Sequence, residues 1–305
     1  VADTFAQMTR QLQLWVPELP PFLAQRFVRD RYRRLADLRP WGALRAEGEF
    51  LPNAATTAGT ATMTRGSPLV VGIETGWTSA EVGRQFQANS RAPIYTILSV
   101  EGPLALTLDR PFGGDSGTGL YRILDAYVTV PSDFRSFMVV LDPRRSWRLQ
   151  HWVTQQELAL LDPGRSSAGT PWALVDRRFS STTRRPQYEL WPYCTIASNY
   201  PFYYIKQVAD LAADDDEPFY PLTGAEIVRG ALADLARWPG TAATPNPMFE
   251  HALELARSFE AEARDMLENL ERQDEETFMT WLTTVDWASW PSAPIDAAFM
   301  QNHAF

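Results

Sequence analysis

Cysteine, lysine and histidine are nearly missing from this 305-residue chain, and each shortage removes a class of chemistry. A single cysteine, Cys194, cannot close an intramolecular disulfide or build a thiolate metal cluster, because both need several sulfurs. Its place in Trp191-Pro192-Tyr193-Cys194 suits a small buried hydrophobe. Lys206 is the only lysine, no GxxxxGK[ST] phosphate loop is present, and few mechanisms that need an amine remain. The histidines, His151, His251 and His303, stand singly; His251 and Glu254 share a helical turn but lack a second ligand pair, so no metal site is expected. Also absent is any apolar run long enough to cross a bilayer. Val1 to Val16 carries Asp3, Arg10 and several glutamines where a signal peptide would need an apolar stretch, so synthesis in a cytoplasm without membrane contact is expected.

What is present is the composition of a globular protein, 45% hydrophobic and 21% charged, long enough to bury a sizeable core in one or two domains. Charge is divided unevenly. Residues 207–305 hold 19 acids and 5 arginines, a net of −14, which leaves +5 on residues 1–206 of the total −9. The two halves are therefore expected to have different neighbours or to form different faces. An acidic half is unsuited to wrapping DNA, which requires phosphates to be neutralised, and suits a wall along which DNA slides without sticking.

Residues 1–47 read as helical. Phe5, Met8, Leu12 and Trp15 recur at helical spacing before Pro17, and a second helix runs from Pro21 to Leu38 with Leu23, Phe27, Val28, Tyr32, Leu35 and Leu38 on one side. Arg26, Arg29, Arg33 and Arg34 occupy the other side, as a nucleic-acid stripe or, preferred here, a solvated or intersubunit ion-pair face. Residues 48–153 change to period two, as in Thr60, Thr62 and Thr64 or Leu104, Leu106 and Leu108, with turns at Arg65-Gly66-Ser67-Pro68 and Glu101-Gly102-Pro103. Short strands at that spacing predict one small barrel or sandwich. Residues 154–224 are expected to be irregular and extended: a capping box at Thr154 to Glu157, then the aromatic strands Tyr188–Pro192 and Tyr200–Ile205.

Residues 225–284 return to helix. Val228, Ala231, Leu235 and Trp238 form one stripe, and Asn246-Pro247 opens a long helix carrying Phe249, Leu253, Ala256, Phe259, Ala263, Leu267 and Leu270. Helices at both ends around a β insertion predict an α+β fold in which the ends form one helical bundle. Residues 285–305 carry Pro291 and Pro294 and are expected to be an extended tail, too apolar to stay free in water and so either folded back onto the body or, preferred here, buried in a partner.

No residue is assigned to catalysis and no cofactor is expected. Gly114-Asp115-Ser116-Gly117 has the letters of a serine-protease nucleophile, but the first histidine comes later in the chain, so a glycine-rich hairpin loop is preferred. Asp214 to Glu217 lacks the alternating ligands of a calcium loop and reads as a solvated acidic loop.

Four strings taken in order carry a family resemblance: RYRRLADLRPW, GTATMTRGSPLVVGIETGWTSAEVGRQFQ with PIYT, DAYVTVPSDF, and YELWPYCTIASNYPFYYIKQVADL. With them the chain resembles the head-to-tail adaptor (connector, head completion or neck) proteins of tailed bacteriophages over most of residues 10–275. The resemblance implies a homo-oligomeric ring, usually a dodecamer, in the virion neck. Such a ring docks on the portal protein, meets a downstream tail or nozzle protein, and lets double-stranded DNA pass through its lumen without specific binding. It implies that the C-terminal segment inserts into the portal, here through Trp287, Trp290, Ile295, Phe299, Met300 and Phe305. Subunit contacts or the channel lining would fall to Glu260, Arg264, Glu268, Glu271 and Arg272. The chain departs from the smaller members by its large β insertion.

Two other readings stand beside it. One is a virion-associated cell-wall hydrolase, since paired carboxylates converge only in a fold. The other is a capsid- or glycan-binding decoration or tail-attachment protein, with Trp77 and Tyr95 as exposed aromatics; core packing of both is preferred.

Overall fold

The computed structural model describes residues 2–89, 91, 93–151, 153–179, 184–241 and 245–284, the side chains of Arg178 and of 278–284 excepted. The chain mixes helix and strand and forms two compact units, one of residues 1–46 with 205–286 and one built around residues 47–204.

The first unit contains α1 (Phe5–Trp15), α2 (Pro21–Leu38), α4 (Ala225–Ala236) and α5 (Ala252–Thr284); α3 (Gln155–Leu161) belongs to the second unit. Thr4 caps α1, its hydroxyl accepting from the Gln7 amide while the Gln7 side chain accepts from the Thr4 amide. The remaining first-turn amides are satisfied from far along the chain: Phe5 N donates to the Asp216 carbonyl at 2.8 Å and Ala6 N to that of Asp214 at 3.0 Å. The acidic run 214–217 is thus more than a solvated loop, because its backbone closes the end of α1. Pro21 stands at the first position of α2, where its missing N–H costs nothing, and Pro40 follows the end.

Helix α4 packs against α1, α2 and α5, and this central place explains why most of its residues are buried. Glu226 folds back to accept from the amides of Thr223 at 2.6 Å and Gly224 at 3.3 Å, sealing its first turn. Asn246 joins α4 to α5: its amide nitrogen donates to the carbonyls of Leu235 and Trp238, while its carbonyl oxygen accepts from Met248 N. At 33 residues and 1.5 Å per residue, α5 is about 50 Å long. Of the stripe expected along it, Ala256, Phe259 and Ala263 are buried, whereas Phe249 and Leu253 are 45% and 72% exposed.

The second unit is built on a curled seven-stranded sheet. Its strands, in spatial order, are 117–119, 60–63, 69–73, 105–108, 94–102, 85–88 and 121–124. Alternation puts Ala61, Met63, Val70, Leu106 and Leu108 inside with Trp77, Phe86, Tyr95 and Tyr121. Trp77 and Tyr95 are 2% and 1% exposed, so neither is available to a glycan. Their polar ends are satisfied within the unit, Trp77 donating to the Tyr121 hydroxyl and Tyr95 accepting from Gly113 N.

The strand-rich unit continues to Tyr204, past the boundary at 153 and through the stretch expected to be irregular. There α3 forms behind the Thr154–Glu157 capping box, and strand 186–191 pairs with 173–179 on one side and with 127–129 on the other. Strand 200–206 lies beside Phe134–Asp142 in a four-stranded sheet. The alternation signal is weak here because Leu190 and Trp191 are both fully buried, and neighbours buried together do not alternate.

Candidate interaction groove

The arginines of α2 are largely committed inside the first unit. Arg33 makes a two-pronged contact with Asp210 at 2.6 Å, Arg34 meets Asp234 at 3.1 Å, and Arg29 donates to the Leu211 carbonyl while lying over the Phe5 ring. Arg26 pairs with Asp30 one turn on. The partners in these contacts are carboxylates and a carbonyl of the same unit. Through its bond to Arg33, the Asp210 carboxyl is held below the usual carboxylate range.

Arg31 is the exception. Its Nε is closed to solvent and has no hydrogen-bond partner among the described residues. Burial pushes its guanidinium below the ordinary arginine value, with Asp234 acting against that. The side chain fits because α4 carries Gly230 at the crossing. A Cβ there would lie 1.9 Å from Arg31 Nε, so the glycine, unfavourable by about 1 kcal/mol within a helix, makes room for the arginine.

Arg31, Arg34, Leu35 and Leu38 of α2 face Glu260, Ala263, Arg264 and Leu267 of α5 across a groove of about 480 Å³. Its floor is apolar, since Leu35 and Ala263 are buried, and its rim carries three arginines and one glutamate. Glu260 is already paired with Arg237 at 2.8 Å, which keeps its carboxyl below the ordinary range. Around Arg264 no carboxylate lies within ion-pair distance among the described residues. The groove can therefore receive an apolar group flanked by negative charge.

Of the five residues expected at subunit contacts or the channel, Glu260 and Arg264 meet in this groove and the others do not. Glu271 lies 3.9 Å from Arg39, Arg272 donates to the Asn269 side chain at 3.2 Å, and Glu268 is exposed. Beside Glu271, the nearly fully buried Asp274 accepts from the Gly42 amide with both oxygens, at 3.0 and 3.1 Å, and lies 3.8 Å from Arg39. This tie of α5 to the corner after α2 has no sequence signal, since Asp274 reads as one more acid on a charged helix. The expected portal-binding residues, Trp287, Trp290, Ile295, Phe299, Met300 and Phe305, lie outside the described residues.

The second unit contains a different constellation. Glu189, 1% exposed, accepts from Arg165 at 3.1 Å, from the Tyr193 hydroxyl at 2.7 Å and from Gln155 at 3.3 Å. Asp162 accepts from the amides of Ser166 and Ser167 and from the Trp191 indole. Burial raises the Asp162 carboxyl, but the donors from Ser167, Ser166 and Trp191 together hold it below its usual value. Burial and then Glu189 push the Tyr193 hydroxyl up. Both carboxylates are occupied with neighbours of the same unit, an arrangement that pins the loop after α3 and turns neither toward solvent. Ser116 of the glycine-rich loop accepts from the Arg65 amide, and Cys194 is buried with its thiol donating to the Ile196 carbonyl. Among the described residues no group of three or more His, Cys, Asp or Glu side chains could hold a metal ion. No described helix is long and apolar enough to cross a membrane. Compared with known proteins, the chain matches no family model and no curated protein.

Proposed function

We propose that the chain is a structural subunit of a tailed-phage neck ring, a head-to-tail adaptor that docks under the portal, extends the DNA channel and offers a platform to the next tail component. The observation that carries this reading is the order of the four strings RYRRLADLRPW, GTATMTRGSPLVVGIETGW, DAYVTVPSDF and YELWPYCTIASNYPFYYIK along the chain. The physical reading is compatible with it. The helices of the first unit form the bundle, α5 supplies an extended surface for neighbouring copies, and the net charge of −14 on residues 207–305 allows DNA to pass with little adhesion. The aromatic residues 285–305 are the element that docks on the portal, by burying anchors such as Trp287 and Phe299.

Deleting 295–305 tests it. The truncated chain is expected to keep its circular dichroism and to lose portal binding in mass photometry, whereas unchanged portal binding would contradict the role given to the tail. A peptidoglycan zymogram that clears and then loses clearing on a single carboxylate substitution would favour the hydrolase instead.

A further inference from the structure

Resting on the ring reading, we propose that the α2–α5 groove receives the beginning of α5 from a second copy of this chain. The first unit then carries both halves of one head-to-tail contact. Where α5 starts, Phe249 and Leu253 are 45% and 72% exposed although they continue the stripe that buries Ala256, Phe259 and Ala263. Glu250 and Glu254 lie beside them, exposed, with no base within ion-pair distance among the described residues. Phe249 and Glu250 stand in the 3-10 turn Phe249–His251 that leads into α5, and Leu253 and Glu254 in the first turn of α5, so two apolar and two acidic side chains are grouped at this end of the helix. The groove offers the complement: Leu35, Leu38 and Leu267 for the apolar side chains and, for the acidic ones, the exposed Arg264, unpaired among the described residues, with Arg31 and the Asp234-bound Arg34 adding positive charge beside it.

The projection and the groove cannot meet within one molecule. The α5 residues lining the groove, 260–267, lie 7 to 14 residues beyond Leu253 on the same continuous helix, roughly 10–20 Å along its axis. The contact is therefore intermolecular. It also joins two different patches, so every copy retains one free projection and one free groove, and repetition produces a closed ring if the rotation closes. A self-complementary dimer patch would instead stop at two copies. Charge supports the same occupant: the chain is net −9, and a basic groove beside unpaired acidic side chains is where copies approach without repulsion.

Two full-length variants test the contact. Leu253→Arg with Glu254→Arg damages the projection and leaves the groove; Leu38→Glu with Arg264→Glu damages the groove and leaves the projection. All four positions are exposed, and circular dichroism checks the fold. Each variant alone is expected to lose the ring by at least tenfold in mass photometry with portal, while Arg264→Lys keeps it. Mixed together, the two variants are expected to form a two-subunit species and stop, because only one intact projection meets one intact groove. The mixture is measured with and without portal, so a two-subunit species requiring both variants supports the contact even where portal binding, and with it the neck reading, fails. Rings from either folded variant alone, or a mixture that contains only single subunits, would overturn the contact.

Discussion

In the helical unit the charged side chains meet near the surface, as in Arg33 and Asp210, each about half exposed, whereas in the strand-rich unit Glu189 meets Arg165 with both side chains largely buried. The difference follows from geometry. A helix presents its polar face to water on one side only, and α2 and α5 keep long arginines and carboxylates there, so their pairs are screened and individually weak. Strands stacked in several sheets leave buried loop ends between them, and their polar groups are satisfied only by other buried groups. The helical unit thus retains spare surface charge for partners, and the strand-rich unit uses its charge to hold itself together.

The largest expected effect separates the two units by pH. Burial leads the causes that raise the hydroxyls of Tyr121, Tyr127, Tyr188, Tyr193, Tyr200, Tyr203 and Tyr204 in the strand-rich unit. In the helical unit Tyr32 is pushed up to about 12. A tyrosine raised by folding binds its proton more tightly in the native state. Its stabilising contribution is complete below the ordinary value near pH 10 and is lost as pH rises toward the folded value. Between about pH 10 and 12 the strand-rich unit is expected to unfold before the helical one. Near-UV circular dichroism with hydrogen exchange follows this, and earlier loss of α1, α2 and α4 would reverse the comparison.

Next in size, Glu189→Ala leaves the Tyr193 hydroxyl without its acceptor and the buried Arg165 with carbonyls but no carboxylate, and a loss of about 3–5 kcal/mol is expected in chemical denaturation. The same truncation at half-exposed Glu260, paired with Arg237, is expected to cost less than about 1 kcal/mol. Equal losses at the two positions would remove the contrast between the units. Asp274→Ala sharpens it from the other direction, because Asp274, like Glu226, is a deeply buried carboxylate of the helical unit. Removing it strands the Gly42 amide and leaves Arg39 without one of its three acids, for an expected loss of about 2 kcal/mol. A loss near zero would mean that water replaces the carboxylate at that corner.

Helices were the most legible elements in the sequence. Pro21 and Pro40 bracket α2, the Thr154–Glu157 box opens α3, and Asn246 stands before α5, because caps and prolines act within a few residues of where they stand. Strands in 60–124 were legible from alternation, since one side of the curled sheet is wet. The stretch 154–204 was not, because residues buried on both sides lose their period, and a strand such as 200–206 finds its neighbour, Phe134–Asp142, some sixty residues earlier. Only part of the groove was visible in advance. Glu260 and Arg264 stood out as a charged pair one turn apart, but Arg31 looked like any other arginine of its helix, and Gly230 like a weak point in α4.

By itself the sequence determined most helix boundaries, that one cysteine cannot close an intramolecular disulfide or build a thiolate metal cluster, and where negative charge accumulates; all three depend on composition or on neighbours a few positions apart. Tertiary structure decided which arginines are satisfied and which is left over, which half of the α5 stripe is covered, and which carboxylates are buried. Those outcomes depend on what a distant segment brings within about 3 Å of a side chain, a distance that spacing along the chain does not encode.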